Sequence, residues 1–298
     1  MSLAPRVVIV HRTTEYEELV AHHGTHGQAA FFLSSRGRDI GEVAERHHRT
    51  RRALADVTSA IPLTWRQSRV ERADLDRFLF APEDVVAVVG QDGLVANVAK
   101  YLDGQPVVGI DSDPGRNPGV LVRHRPADAG GLLRAALAAG TGTDELTMVE
   151  AVADDTQRLL ALNEIYLGAA GHQTARYRLE LDDGAAVEAQ ASSGVLVGTG
   201  TGATGWIRSV WEGRGGSLPL PLPTEDRLVW FVREAWPSPA TGTSRVAGTL
   251  SARSRLTLTV ESERLIAFGD GMEGDALELT WGQAVRVGVC GRRLRLVG

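Results

Sequence analysis

The sequence predicts an α/β first half joined to a mostly antiparallel β second half, and three patterns carry that reading. In the first half, short apolar runs alternate with helical patterns, as in a parallel sheet with helices on its faces. Val85-Val86-Ala87-Val88-Val89 is an unbroken apolar run rather than an alternating one, which fits a strand covered on both faces. Beyond about Thr143 the pattern turns to period-two segments separated by turns, the mark of mostly antiparallel β structure.

Taken in order, Val7 to Val10 is the first strand and Glu15 to His22 the first helix. A helix over Ala44 to Ser59 precedes the apolar run Ile61 to Trp65, read as the next strand. Asp84 to Val89 is the central strand, Leu94 to Leu102 the helix after it, and Val107 to Ile110 the following strand. An alanine-rich helix within Gly130 to Gly142, ending in glycines, marks the boundary. The expected domains are therefore residues 1–142 and 143–298, with the final strand or tail allowed to return to the first. In the second half, Ala175 to Leu181 and Ala185 to Ala191 flank Asp182-Asp183-Gly184, and Asp-Gly between β-patterned runs signals a hairpin. Further strands are expected at Leu228 to Val232, Arg255 to Val260, Leu265 to Phe268, Ala276 to Trp281, Ala284 to Val289 and Arg292 to Val297. Gly213 to Pro223 and Ala235 to Thr243 read as loops.

With 298 residues, 43% of them hydrophobic and 23% charged, the chain can close about two ordinary cores and lacks the composition of disorder. A net charge of -5 with scattered arginines gives no footprint for a phosphate backbone, so nucleic acid is not an expected partner. The single cysteine, Cys290, excludes an intramolecular disulfide and a cysteine-rich zinc site, and points to a reducing, cytoplasmic setting. No stretch approaches the ~20 apolar residues of a membrane-spanning helix.

Chemistry is concentrated in three places. Gly90-Gln91-Asp92-Gly93 follows the buried strand and opens a helix, so backbone N–H groups and a helix N-terminus face whatever lies there, as in a phosphate cradle. The plainer reading is that Asp92 caps the helix. Asn163-Glu164 precedes the apolar run Ile165-Tyr166-Leu167, where paired polar side chains can hold sugar hydroxyls or a metal-bound water, or simply form a turn. Ser192 to Trp206 is a strand opening into a glycine- and threonine-rich run, suited to close approach of a flat or phosphorylated ligand. The pairs His22-His23 and His47-His48 read as helix surface, and Asp111-Ser112-Asp113-Pro114 as a turn with acidic ligands as the alternative. No Walker A loop, Gly-x-Ser-x-Gly elbow or zinc-binding pair occurs, and no metal ligands are assigned.

In order and spacing, Gly90-Gln91-Asp92-Gly93, Asn163-Glu164 and the Gly198 to Trp206 run resemble the NAD kinase family, most of all its mitochondrial type. Supporting pieces are Arg12-Thr13-Thr14-Glu15-Tyr16, Glu45-Arg46-His47-His48, Val108-Gly109-Ile110-Asp111-Ser112-Asp113-Pro114, Asp182-Asp183-Gly184 and Ser192-Ser193-Gly194, so the likeness covers nearly the whole chain. It implies an N-terminal α/β domain, a C-terminal β-sandwich and a homo-oligomer. The implied reaction is phosphoryl transfer from ATP, with Mg²⁺, to the adenosine 2′-hydroxyl of NAD, giving NADP. By the family pattern Asp92 is the general base, and Gly90, Gln91, Gly93 and Leu94 form the donor phosphate loop. Asn163 and Glu164 hold ribose hydroxyls, while Ser193, Thr201, Ala203, Thr204 and Trp206 line the adenosine side.

The family loop reads Gly-Gly-Asp-Gly-Thr, whereas this chain has Gln91 for the second glycine and Leu94 for the threonine. Gly205 stands where alanine is usual before the aromatic residue. Gln91 and Leu94 fall on the donor side and keep two alternatives open: a kinase-like relative acting on another nucleoside or sugar hydroxyl, and a non-catalytic NAD or nucleotide binder. A lipid kinase with a related loop is opposed by Asn163-Glu164 and the Gly198 to Trp206 run.

Overall fold

Three short valine-rich strands, a polar edge strand and the helices between them build the first unit, in a computed structural model that describes residues 4–116, 118–138, 142–182 and 187–298. The unit runs to Asp144 and takes back Arg295–Gly298. Its elements are β1 (Arg6–His11), α1 (Glu15–His23), α2 (His26–Ser34), α3 (Ile40–Ala60), β2 (Arg66–Glu71), β3 (Asp84–Gly90), α4 (Asp92–Ala99), β4 (Pro106–Asp111) and α5 (Ala129–Leu137). The strands lie parallel in the order β2-β1-β3-β4. Chain direction across the sheet reverses between β1 and β3, and the crevice outside the carboxyl ends at such a switch point is where open α/β sheets bind ligands.

Both faces of this sheet are covered, which explains the unbroken apolar runs. Val7, Ile9, Val85, Ala87 and Val89 on one face form a core with Ala53, Leu54 and Val57 of α3 and Ala129 and Leu133 of α5. The alternate residues Val8, Val10, Val86 and Val88 are equally buried, and α4 packs against β1, β3 and β4. Helix α1 starts at a capping box, in which the Glu17 amide donates to Thr14 Oγ1 and the Thr14 amide to Glu17 Oε2. Asp84, fully buried at the start of β3, accepts from Arg6 Nε at 2.7 Å and Nη2 at 2.5 Å, the bidentate geometry that makes a buried pair tolerable.

The second unit is Glu145–Leu294. It holds β5 (Thr143–Ala153, whose first two residues belong to the first unit), β6 (Arg158–Ala161), β7 (Glu164–Gly168), β8 (Ala175–Leu181), β9 (Glu188–Ser192) and β10 (Gly194–Gly198). After the only helix described in this unit, α6 (Trp206–Gly213), come β11 (Arg227–Arg233), β12 (Ala247–Ser251), β13 (Arg255–Val260), β14 (Arg264–Gly269), β15 (Met272–Thr280) and β16 (Ala284–Val297). One layer is a six-stranded antiparallel sheet in the order β12-β11-β10-β7-β14-β15. The other carries β16-β13-β8-β9 antiparallel, with β5 paired to β16 and β6. Inward residues of both layers, among them Tyr177, Leu179, Val195, Val197, Trp230, Leu256, Leu258, Ala267 and Val287, share one core, so the unit is a β-sandwich.

The fold class is the expected one, with three local corrections. Ile61 to Trp65 is not a strand; the second strand is β2, Arg-Gln-Ser-Arg-Val-Glu, an edge strand in which only Val70 is buried. An edge needs no apolar run, so the hydrophobic pattern selected the wrong neighbour. The expected pair Ala284 to Val289 and Arg292 to Val297 is one strand, β16, continuous through Gly291. Its Ala284–Gly288 part pairs antiparallel with β13, and Arg295 and Leu296 pair parallel with β4. The third correction is α2, a helix the reading by apolar runs passed over. Asp183-Gly184, at the expected hairpin, and the glycine-rich end of the boundary helix at 139–141 lie outside the described residues.

Candidate functional site

In the first unit the expected loop closes β3. Gly90 is its last residue, Gln91 is the N-cap of α4 with extended backbone, and Asp92 is the first helical residue. The Gln91 side chain is exposed and makes no capping hydrogen bond. Leu94, which replaces the family threonine, is buried, and its Cδ2 lies 3.0 Å from where a Gly90 Cβ would stand, so it fills the space beneath the loop. Gly93 is exposed with open space beside it.

Asp92 has a set of partners that its sequence neighbours do not reveal. Its Oδ2 accepts from the Val120 amide at 3.0 Å, and its Oδ1 from the Leu121 and Val122 amides at 2.8 and 2.9 Å. Those three amides belong to a segment laid directly on β4: the His124 amide donates to Gly109 O, and the Asp111 amide to His124 O. Gly109 permits the contact, since a Cβ there would stand 2.0 Å from Leu121 O. Asp111 Oδ1 accepts from the Asp113 amide at 2.8 Å, and Asp113 pairs with Arg49 Nε at 2.7 Å, so these acids form the turn that was one of their two readings.

In the second unit the expected residues converge around Thr199, which is fully buried. Its hydroxyl donates to Leu162 O at 2.6 Å and accepts from the Thr201 and Gly202 amides at 3.1 and 3.3 Å, while its own amide donates to Asn163 O. The glycines of this run serve close packing. A Cβ on Gly198 would meet Ile207 at 2.4 Å, one on Gly200 the Leu222 backbone at 2.1 Å, and one on Gly202 the Asn163 carbonyl at 2.3 Å. Gly202–Thr204 forms a 3₁₀ turn leading to Trp206, so this is an ordered wall rather than a flexible loop.

Asn163 and Glu164 open β7 beside that wall. Asp270, which sequence reading missed, accepts from the Leu162 and Asn163 amides at 2.9 and 2.7 Å, and its amide donates to Glu164 O. It adopts φ 55°, a left-handed conformation that aspartate tolerates in turns. Burial, aided by the negative charge of Asp270, pushes the Glu164 carboxyl up to about 8, so it is largely protonated at neutral pH and offers a donor as well as an acceptor. The Thr201 hydroxyl is buried and has no hydrogen-bond partner among the described residues. Thr204 Oγ1 is spent on Thr201 O, and Ala203 is packed against the cluster of Tyr166, Leu196 and Ile207.

Trp206 stacks near Tyr166, with ring centres 5.8 Å apart, and the Arg233 guanidinium lies 5.5 Å from the Trp206 ring. The Tyr166 hydroxyl donates to Ser193 O at 2.7 Å, which sets the backbone of Ser193 while leaving its side chain exposed. Tyr166 and Arg233 were not singled out from sequence because each sits in an apolar strand pattern that core packing alone explains.

No protein-family model matches the chain. Among solved structures, an NAD kinase from Archaeoglobus fulgidus in complex with ATP superposes with a TM-score of 0.60 at 16% identity, covering 98% of this chain and 93% of that one. The chain has the NAD kinase fold. In sequence, it is similar to mitochondrial NAD kinase 2 of Rattus norvegicus, 25% identical over 283 residues, with 74% of this chain and 66% of that protein covered. The chain therefore spans just under two thirds of that relative's length. The family resemblance read from the motifs holds, and the NAD kinase fold accounts for both the α/β unit and the sandwich.

Proposed function

We propose that the protein is an NAD kinase, transferring the terminal phosphoryl group of ATP to the adenosine 2′-hydroxyl of NAD to give NADP. The observation that carries the reading is the convergence, in a chain of NAD kinase fold, of Asn163, Glu164 and Thr201 on one wall of the second unit. A protonated Glu164 and an unpartnered Thr201 hydroxyl are groups that a sugar bearing two hydroxyls satisfies, because each hydroxyl both donates and accepts. Trp206 gives a flat face for the adenine, with Ser193, Ala203 and Thr204 shaping the surroundings.

On the donor side we assign the phosphates to the Gly90–Gly93 backbone, with Leu94 supporting it from below and Gln91 at its rim. Among the described residues no group of three His, Cys, Asp or Glu side chains is placed to hold a metal ion. When bound with the donor, Mg²⁺ would offset the charge of the transferring group, and the Gly90–Gly93 backbone would hold the phosphates beside it. The similarity to a mitochondrial enzyme and to an ATP complex supports the reaction. The lone, buried Cys290 suits a reducing compartment, for which we propose the cytoplasm; no described helix is long and apolar enough to cross a membrane. Assembly into homo-oligomers and the absence of a nucleic-acid partner belong to the same proposal.

The deciding experiment is NADP formation by the purified chain with ATP and Mg²⁺. Turnover of NAD supports the assignment, and ATP consumption only with another nucleoside or sugar, or no turnover with bound NAD, overturns it.

A further inference from the structure

We propose that Tyr177 is a positioning residue for the adenosine wall: through Ser192 it fixes the bend at Gly194 against which Tyr166 is set. The inference rests on the NAD-binding reading given above. The chain changes layer at this bend, since β9 ends at Ser192 in one sheet, β10 begins at Gly194 in the other, and only Ser193 lies between. Gly194 adopts φ 123°, and a Cβ there would stand 2.6 Å from the Tyr166 ring and 2.7 Å from Leu167 O, so the bend requires glycine. Tyr166 lies on the face of its sheet that looks away from the sandwich core, and its hydroxyl donates to Ser193 O at 2.7 Å. The Ser193 amide donates to Arg233 O at 2.9 Å. From inside the core, the Tyr177 hydroxyl meets Ser192 Oγ at 2.7 Å. Two tyrosines thus grip consecutive residues of one bend from opposite faces.

The inner grip is one link of a hydrogen-bonded chain. Tyr177 donates to Gln190 Oε1 at 3.2 Å, so the Ser192 hydroxyl is the donor to Tyr177, and Ser192 Oγ accepts from the Gly194 amide at 2.9 Å. Gln190 Nε2 donates onward to Glu188 Oε1 at 2.5 Å and to Arg245 O at 2.7 Å. Tyr177, Gln190 and Ser192 are all buried, and burial pushes the Tyr177 hydroxyl above its ordinary range, so it stays neutral. Apolar side chains would fill the same space without desolvating three polar groups; what the chain adds is a single satisfied geometry for the bend. Without the Tyr177 hydroxyl, Ser192 turns to Gly194 O, 3.4 Å away, and shifts the residue that Tyr166 packs against. Tyr166 carries that shift to Trp206, with which it stacks.

Tyr177→Phe removes the hydroxyl and keeps the ring. NAD affinity by calorimetric titration, steady-state kinetics and hydrogen exchange of the Gly194 amide would be measured for it, for Ser192→Ala, which cuts the same chain at the next link, and for Val287→Ala. Val287 belongs to the same core but lies two strands from β8, level with Leu181 and away from the bend. The expected result is that Tyr177→Phe and Ser192→Ala each weaken NAD binding about tenfold and raise KM for NAD to match, with kcat and KM for ATP within about threefold and faster exchange at Gly194. Val287→Ala should lower the melting temperature at least as much and leave NAD binding within about twofold. NAD binding unchanged in folded Tyr177→Phe, or weakened equally by Val287→Ala, overturns the proposal; if Tyr177→Phe does not fold, Ser192→Ala decides by the same criteria. A wild-type protein that binds no NAD refutes the proposed function rather than this role, which unchanged Gly194 exchange in Tyr177→Phe would then refute by itself.

Discussion

Glu164 is the residue whose charge state has the widest reach. The folded carboxyl holds its proton up to about pH 8, whereas in the unfolded chain it releases it near 4.5. Its contribution to stability is therefore complete in acid, declines as pH rises between those values, and is gone above about 8. Glu164→Gln fixes the neutral form, so its melting temperature should fall less than that of wild type between pH 5 and 9. Equal slopes in a thermal-shift series would refute the assignment. Wild-type NAD affinity should weaken above pH 8 as Glu164 ionises, and the same substitution should keep affinity within a few-fold at pH 7 and remove that weakening, measurable by calorimetric titration. Asp270 was not legible because the amides it serves, Leu162 and Asn163, lie more than a hundred residues away in sequence. Nor do the partners of Asp92 show in the sequence, because they are backbone groups and any residue type supplies an N–H. Asp92, Asn163, Glu164 and Trp206 could be singled out because each belongs to a local string of polar or glycine residues at the edge of an apolar run.

At the scale of the element, the Gly198–Gly205 segment is held by contacts that leave no room for a side chain. Gly202→Ala places a methyl group 2.3 Å from the Asn163 carbonyl, and overpacking of this kind costs about 1–3 kcal/mol, so a clear drop in the denaturation midpoint is expected. NAD binding should fall further than the stability loss explains, because the displaced carbonyl carries Glu164 with it. If binding is unchanged in the folded variant, the wall does not shape the site. Gly109→Ala forces a comparable clash with Leu121 O and should release the protection of the 120–122 amides. Element types followed from pattern where burial was two-sided, as in β3, or alternating, as in β8 and β13. They failed at β2, where five of the six residues of an edge strand are charged or polar and nothing apolar announces it but Val70.

Across the whole molecule, the two units are not two separate lengths of chain. Val297 is buried in the core of the first unit, and His124 bonds its carbonyl, although the residues before Arg295 belong to the second. Deleting Arg295–Gly298 should accordingly destabilise the first unit and spare the sandwich. Limited proteolysis is expected to cut first in residues before Asp144, with a surviving fragment that begins near Glu145; preferential loss of the sandwich would contradict the division. The general plan, a parallel sheet followed by a sandwich, was readable because periodicity reports which faces are covered. The crossing of β16 was not, since Gly291 in mid-strand looks like a break in a one-dimensional pattern.

The return of β16 also sets an order on biosynthesis. The parallel sheet of the first unit is missing its last pairing, Arg295 and Leu296 against Pro106 and Val107, until those residues have been made. At ~5–20 residues per second the ribosome needs roughly 8–30 s to translate the chain between Asp144 and Arg295. Throughout that interval the edge of β4 lacks this partner and is exposed to chaperones and to other nascent chains, and by its end every strand of the sandwich except the last has been completed. The unit translated first is thus the one completed last.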